Sequence, residues 1–260
     1  MKLGEREMED LRMVRQKKSI VVMAKVLVLA LLIGVFAAIP STETFAATNK
    51  ALRAKVVFDG DRESDAVWTN NNYILQAGHK KASKVKKNMK ISAKVYVPVA
   101  ALKKDEDTVH VDAWVSLETK KNDFVGDIRT KYTVMLIKDG KKMRVALWDM
   151  SKEKELKPGK MASYKKSGKY YVITLNNMPL ENVVYKDEQA SKINTKSEYN
   201  LGQGISVTGT CTKSSGYVYV DDLMISGVTT QKITFNKKDY KWYSGWHMDK
   251  NYSLKVTTVK

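Results

Sequence analysis

The residues best placed to do chemistry lie in Val109–Glu118, V-H-V-D-A-W-V-S-L-E. Strict alternation there is the period-2 signature of a half-buried β-strand. It sends Val109, Val111, Ala113, Val115 and Leu117 to one face and His110, Asp112, Trp114, Ser116 and Glu118 to the other. The apolar set must face a core, so an indole is left among hydrogen-bonding groups on the side a strand normally gives to water. A rigid apolar ring beside polar groups suits the C–H faces of a sugar ring. Ordinary packing of Trp114 beneath a covering loop or strand is the alternative. A second strand, Lys142–Trp148, K-M-R-V-A-L-W, repeats the arrangement. It sets Met143, Val145 and Leu147 against Lys142, Arg144, Ala146 and Trp148.

Catalytic constellations are weaker. Glycoside hydrolysis needs two carboxyl groups about 5 Å or 6.5–9.5 Å apart across a cleft. Asp112 and Glu118 share the Trp114 face, but six residues of strand span roughly 20 Å. The three histidines, His79, His110 and His247, are scattered, and neither H-E-x-x-H nor G-x-S-x-G occurs. The chain therefore reads as a binding protein rather than an enzyme.

Val26–Ile39 is an unbroken apolar run, preceded by Lys17, Lys18 and Lys25 and followed by Pro40 and S-T-E-T-F-A-A. A basic lead, a short apolar stretch and small residues at a cleavage point make a secretory signal peptide over 1–46. An uncleaved anchor is the alternative, although the run is short against the ~20 residues of a membrane span. Seven basic and five acidic residues lie in 1–46, so the chain from Ala47 keeps a net charge near +16. Only Arg53, Arg62, Arg129 and Arg144 there are arginine. Nucleic-acid readers lean on Arg forks, so Lys-dominated charge indicates a solvated surface or a screened attraction to an anionic envelope. Cys211 is the only cysteine, which leaves no intramolecular disulfide and no Cys-based zinc site.

From Ala47 the chain alternates short strands with turn chemistry. Ala51–Phe58 ends at Asp59-Gly60-Asp61, and Trp68, Asn70–Asn72 and Tyr73–Leu75 follow. Lys80–Lys90 reads as a connector, Ile91–Val97 as a strand stopped by Pro98, and Val99–Asp107 as room for one helical turn. Lys131–Ile137 and Lys142–Trp148 are joined through Asp139-Gly140, a strong hairpin signal. Ser151–Gly168 reads as a long loop and Lys169–Leu175 as a strand. Pro179–Asn200 reads as irregular, with room for helix, and Ile205–Thr210 and Gly216–Ser226 as closing strands. The pattern predicts an all-β, antiparallel β-sandwich of the jelly-roll kind over 47–227. In the tail, 228–260, the order Lys-apolar-x-Phe, polar turn, Trp, Tyr-x-Leu is similar to the opening near Lys55. It is either the start of a truncated second module or an extension adding edge strands to the first.

Three local features carry a resemblance. I-S-A-K-V-Y-V-P-V-A at Ile91–Ala100, Y-V-Y-V-D-D-L at Tyr217–Leu223, and Phe58-Asp59 after a signal peptide are together similar to jelly-roll carbohydrate-binding modules of secreted polysaccharide hydrolases. In length and layout the mannan-binding modules of bacterial mannanases (family twenty-seven) are nearest, over Ala51–Gly227. The resemblance implies β-mannan binding by tryptophans stacked on sugar rings, here Trp68, Trp114 and Trp148. It also implies a structural calcium tying the opening strand to the closing one, here through Asp59 or Asp61 and Asp221, and a glycoside hydrolase partner. No hydrolase module adjoins the binding unit in this chain.

The expected function is non-catalytic binding of a neutral plant-type polysaccharide by a secreted or cell-surface protein. His110, Asp112, Glu118, Arg144 and Asn70–Asn72 would hydrogen-bond the ring hydroxyls. The competing expectation is a secreted, Lys-rich envelope protein that holds anionic polymers without sugar specificity.

Overall fold

The computed structural model describes residues 50–58, 73–121, 123–229, 232–235, 240–244, 251–252 and 256–259. Seventeen strands and a single 3₁₀ turn make up the regular structure of these residues. In chain order the strands are β1 (Lys50–Phe58), β2 (Tyr73–Pro98), β3 (Thr108–Glu118), β4 (Phe124–Arg129), β5 (Tyr132–Asp139) and β6 (Lys142–Asp149). Next come β7 (Lys154–Leu156), β8 (Ala162–Ser167), β9 (Tyr170–Pro179), β10 (Val183–Lys186), β11 (Gln189–Lys192) and β12 (Glu198–Thr210). The last are β13 (Ser214–Val228), β14 (Lys232–Thr234), β15 (Tyr240–Ser244), β16 (Asn251–Tyr252) and β17 (Val256–Thr258). Every strand pairing is antiparallel, and the fold is an all-β sandwich.

Two sheets face one another. Sheet A runs β8–β9–β2–β13, with β1 and β14 sharing the far edge of β13 and β17 outside β1. Sheet B runs β16–β15–β2–β12–β3, beyond which β5 takes Thr108–Val111 and β4 takes Trp114–Glu118. Strands β6 and β7 continue past β5, and β10 and β11 past β4.

Strand β2 belongs to both sheets. Its first half pairs β12 as far as Lys84, and from Val85 onward it pairs β13. The crossing point is Val85–Met89, where Val85 and Met89 are buried, Lys86, Lys87 and Asn88 are exposed, and Asn88 sits at φ +66. The Lys-rich stretch expected as a connector is therefore the middle of a strand. Lysine on the water-facing side does not oppose pairing when the alternate residues, Ser83 and Val85, are buried.

The core lies between the sheets and is built by alternation. Ile91, Val95 and Val97 of β2 and Val109, Val111, Val115 and Leu117 of β3 are almost fully buried, as are Ile173 and Leu175 of β9 and Ile205 and Val207 of β12. Each such side chain stabilises the fold by about 1.5–3 kcal/mol against leaving it in water. The Asp139-Gly140 hairpin joins β5 to β6 as expected, with Gly140 at φ +56. The short turn at Val99–Ala101 also falls where a helical turn had room.

Two segments expected to be irregular are strands. Ser151–Gly168 contains β7 and β8, which pair β6 and β9 at sheet edges. Their short length and lysine content mask the period in sequence. Pro179–Asn200 carries the β10–β11 hairpin and the start of β12 rather than helix. The tail strands β14, β15 and β17 pair β13, β2 and β1, all strands of the first sandwich. Ala47–Lys260 clusters as one compact unit.

Candidate functional site

Trp114 and Trp148 lie on the same outer face of sheet B. Strand β3 alternates from half-buried His110, Asp112 and Trp114 to buried Val109, Val111, Ala113 and Val115. Across β5, Thr133 stands opposite Trp148 on β6 and its hydroxyl donates to the Asp112 carboxylate on β3. A row Asp112–Thr133–Trp148 thus crosses three strands. Trp114 sits two residues along β3 from that row. With strands ~4.8 Å apart and ~3.3 Å per residue, the two tryptophan Cα atoms lie roughly 12 Å apart. Both indoles are half-buried, neither sealed nor fully open.

Trp114 is held from both sides. Gly204 of β12 is its cross-strand partner, and the ring fills the space a Cβ at Gly204 would take. A Cβ built there would lie 2.1 Å from Cε2 and 2.2 Å from Cζ2 of the indole. On the other flank Arg129 of β4 is its partner. The Arg129 guanidinium forks onto Glu188, with Nη1–Oε2 at 3.1 Å and Nη2–Oε1 at 2.8 Å, and stacks 4.5 Å from the centre of the Tyr185 ring. Glu188 holds the Arg129 pKa above its usual value, so its positive charge is fixed. Ser116, two residues from Trp114, donates to Asp127 Oδ1 at 2.6 Å.

Trp148 has its own bracket. Glu155 on β7 is its cross-strand partner, and the Glu155 carboxylate is forked by Arg144, four residues back on β6. Arg144 also reaches Asp139 Oδ2 at 3.4 Å. Arg144, expected to meet sugar hydroxyls, is thus already engaged by two carboxylates, with donor capacity left on its five N–H groups.

The electrostatics of this face are set by burial. Desolvation pushes the Asp112 carboxyl above its usual range, against the opposing pull of the Thr133 hydroxyl, His110 and Arg129. Desolvation lowers the His110 pKa, with Asp112 pulling the other way. Asp127 is raised by burial, opposed by Ser116 and Arg129. For His110 the folded state favours the neutral ring, so its contribution is complete above the unfolded value of 6.5 and is lost as pH falls below it. Urea midpoints followed from pH 7.5 to about 5 should fall less steeply in His110→Gln than in the wild type, with Asp112 and Arg129 kept in place. Parallel curves for the two proteins would refute this assignment.

The other expected site residues separate. Glu118 shares the face but ends β3 four residues beyond Trp114, opposite Asn200 and Phe124, roughly 13 Å away. Trp68, Asn70–Asn72, Asp59 and Asp61 lie outside the described residues. Asp221 is buried on β13, and its register partner position on β1 is Ala51, next to the Leu52–Val220 pair. Phe58, the residue before Asp59, stands opposite Ser214 at the other end of that ladder, roughly 23 Å from Ala51. Of the carboxylates expected to share a calcium, Asp221 alone falls within the described residues. Among the described residues no group of three or more His, Cys, Asp or Glu is arranged to hold a metal ion.

Sequence reasoning missed Gly204, Arg129, Thr133, Asp127, Tyr185 and Glu188. Gly202 and Gly204 inside the strand L-G-Q-G-I were a usable signal, because glycine within a strand marks the close approach of another group. The rest depend on which strands become neighbours.

No family model and no curated protein matches the chain. Among solved structures, the tailspike protein of Acinetobacter baumannii phage AM24 is matched at 12% identity over 70% of this chain and 30% of that one. Its TM-score is 0.23, and the likeness carries no argument about fold or function.

Proposed function

We propose that the chain is a non-catalytic binder of a neutral polysaccharide, β-mannan favoured, exported by its N-terminal segment and retained on the polymer by the outer face of sheet B. The observation that carries this reading is the placement of Trp114 and Trp148 on one face of one sheet, half-exposed, with hydrogen-bonding groups between them. In this reading the indoles receive the C–H faces of sugar rings. Asp112, His110, Thr133 and the free N–H groups of Arg144 and Arg129 meet the hydroxyls. A glycoside hydrolase on another chain is the natural user of such a module.

Each platform is worth about 1–3 kcal/mol, which places the affinity in the micromolar range or weaker. In affinity electrophoresis against galactomannan, glucomannan, xylan and β-glucan, Trp114→Ala and Trp148→Ala should each lower retention about tenfold with circular dichroism unchanged. Retention should persist at 0.5 M salt, about 4 Å of Debye screening, because the ligand is uncharged. Unretarded migration of the wild type in every gel sinks the reading. Retention that collapses with salt and ignores both tryptophans transfers support to a Lys-rich protein holding anionic polymers. The net charge of +18 favours that second reading.

A further inference from the structure

Sheet A carries a second constructed feature on its own strands. Strand β2 lies between β9 and β13, and both neighbours slip register at the same place. On β9 the pairing jumps from Ile91–Met178 to Ala93–Leu175, and on β13 from Lys94–Asp221 to Ser92–Met224. Strand β9 thus spends one extra residue opposite Ile91–Ala93 and β13 one opposite Ser92–Lys94, giving two β-bulges on either side of one strand. Each bulge holds a non-glycine residue in left-handed backbone, Asn177 at φ +51 and Asp222 at φ +53. Such conformations cost of order 1 kcal/mol or more and persist where the surroundings impose them.

The surroundings here do impose them. The Asn177 N–H donates to Ser92 Oγ at 2.9 Å. Gln203, fully buried on β12 of the opposite sheet, reaches across the core and donates from Nε2 to the Ser92 carbonyl at 3.0 Å. A buried polar side chain of β12 thus holds the bulged stretch of β2 from inside the core. Lys94 Nζ is tied to Asp222 Oδ2 at 2.7 Å, which fixes the mouth.

The bulges border an open cleft of about 400 Å³. That volume falls within the ~300–1,000 Å³ of small-molecule sites. Its walls mix hydroxyl and amide groups (Ser92, Thr174, Asn176, Thr234) with apolar Leu223 and Phe235. Its charges are Lys94 and Lys232 against Asp221 and Asp222, a balanced set on a chain of net charge +18. A balanced cleft favours neither an anion nor a cation. Donors, acceptors and apolar walls together fit an uncharged, polyhydroxylated ring.

We propose that this cleft is a second ligand site, for a neutral sugar unit or short oligosaccharide, distinct from the tryptophan face of sheet B. It goes beyond the reading of that face and stands or falls separately. The test is titration of the ¹⁵N-labelled protein with mannose, galactose and mannobiose in separate arms, each to about 10 mM, tenfold above a ~1 mM dissociation constant. The amides of Ser92, Asn176, Asp222 and Lys232 should shift and saturate with at least one sugar. The shifts should persist in the Trp114→Ala, Trp148→Ala double variant, and fall at least fivefold in Asp222→Ala and Lys232→Ala, two exposed positions. No movement of these amides with any of the three sugars overturns the proposal. So does movement elicited by sodium phosphate but not by sugar, or movement abolished by the tryptophan double variant.

Discussion

Gly204→Ala should lose stability and the Trp114 platform together. Alanine normally gains about 0.4–1 kcal/mol over glycine through the unfolded chain where its conformation is tolerated. Here its Cβ would lie 2.1 Å from Cε2, 2.2 Å from Cζ2 and 2.5 Å from Nε1 of the indole. A tryptophan ring cannot yield as the tip of a lysine would, so either the indole swings out or β12 moves away from β3. Overpacking of this kind costs about 1–3 kcal/mol, which exceeds the entropic gain. The urea midpoint should fall and the near-ultraviolet aromatic signal change. In the double variant with Trp114→Ala, the added methyl group should become neutral or stabilising. That reversal of sign identifies the ring, and a Gly204→Ala variant as stable as the wild type would show that the indole is not seated on the glycine.

Asp107→Ala should be more damaging, at about 3 kcal/mol. Asp107 is fully buried, and its Oδ2 accepts from the Lys104 N–H and, at 2.6 Å, from the Thr212 hydroxyl. Its own carbonyl accepts from Lys138 N–H, and Thr212 N–H donates to the Ala101 carbonyl nearby. The carboxylate therefore fastens two connections, the segment before β3 and the junction of β12 with β13, while the Asp107 backbone carbonyl holds the β5–β6 hairpin end. Truncation leaves two part-buried donors without their acceptor, each costing about 1–3 kcal/mol. For a chain of this size that corresponds to a fall in Tm of roughly 6–12 °C. Asp107→Asn, which keeps an acceptor, should recover part of it. Calorimetry distinguishes these outcomes, and a change under 1 °C for the alanine variant would contradict the role.

What the sequence made legible follows from periodicity and from its interruption. Clean alternation in Val109–Glu118 placed both faces of β3 correctly, and Asp139-Gly140 gave a hairpin whose turn is met by glycine at φ +56. Lysine defeated the same method at Lys84–Lys90, where charge every residue or two on the water side concealed a strand crossing between sheets. Strands of three to six residues such as β7 and β8 are too short to show a period. At the site, pattern found Trp114, Trp148, His110 and Asp112. It could not find Arg129, Thr133 or Glu188, because those residues approach the indoles through pairings of β4, β5 and the β10–β11 turn. Asp221 matched a motif, but Asp59 and Asp61, the partners that motif implied, lie outside the described residues.

The single strand common to both sheets has a bearing on how the molecule comes apart. Fraying of β2 withdraws hydrogen-bond partners from β12 and β15 in one layer and from β9 and β13 in the other. Neither layer can therefore peel off as an independent foldon, and the slowest-exchanging amides of the two belong to one opening event with one free energy. A ligand gripped by either face would, through that shared strand, raise the protection of the face it never touches.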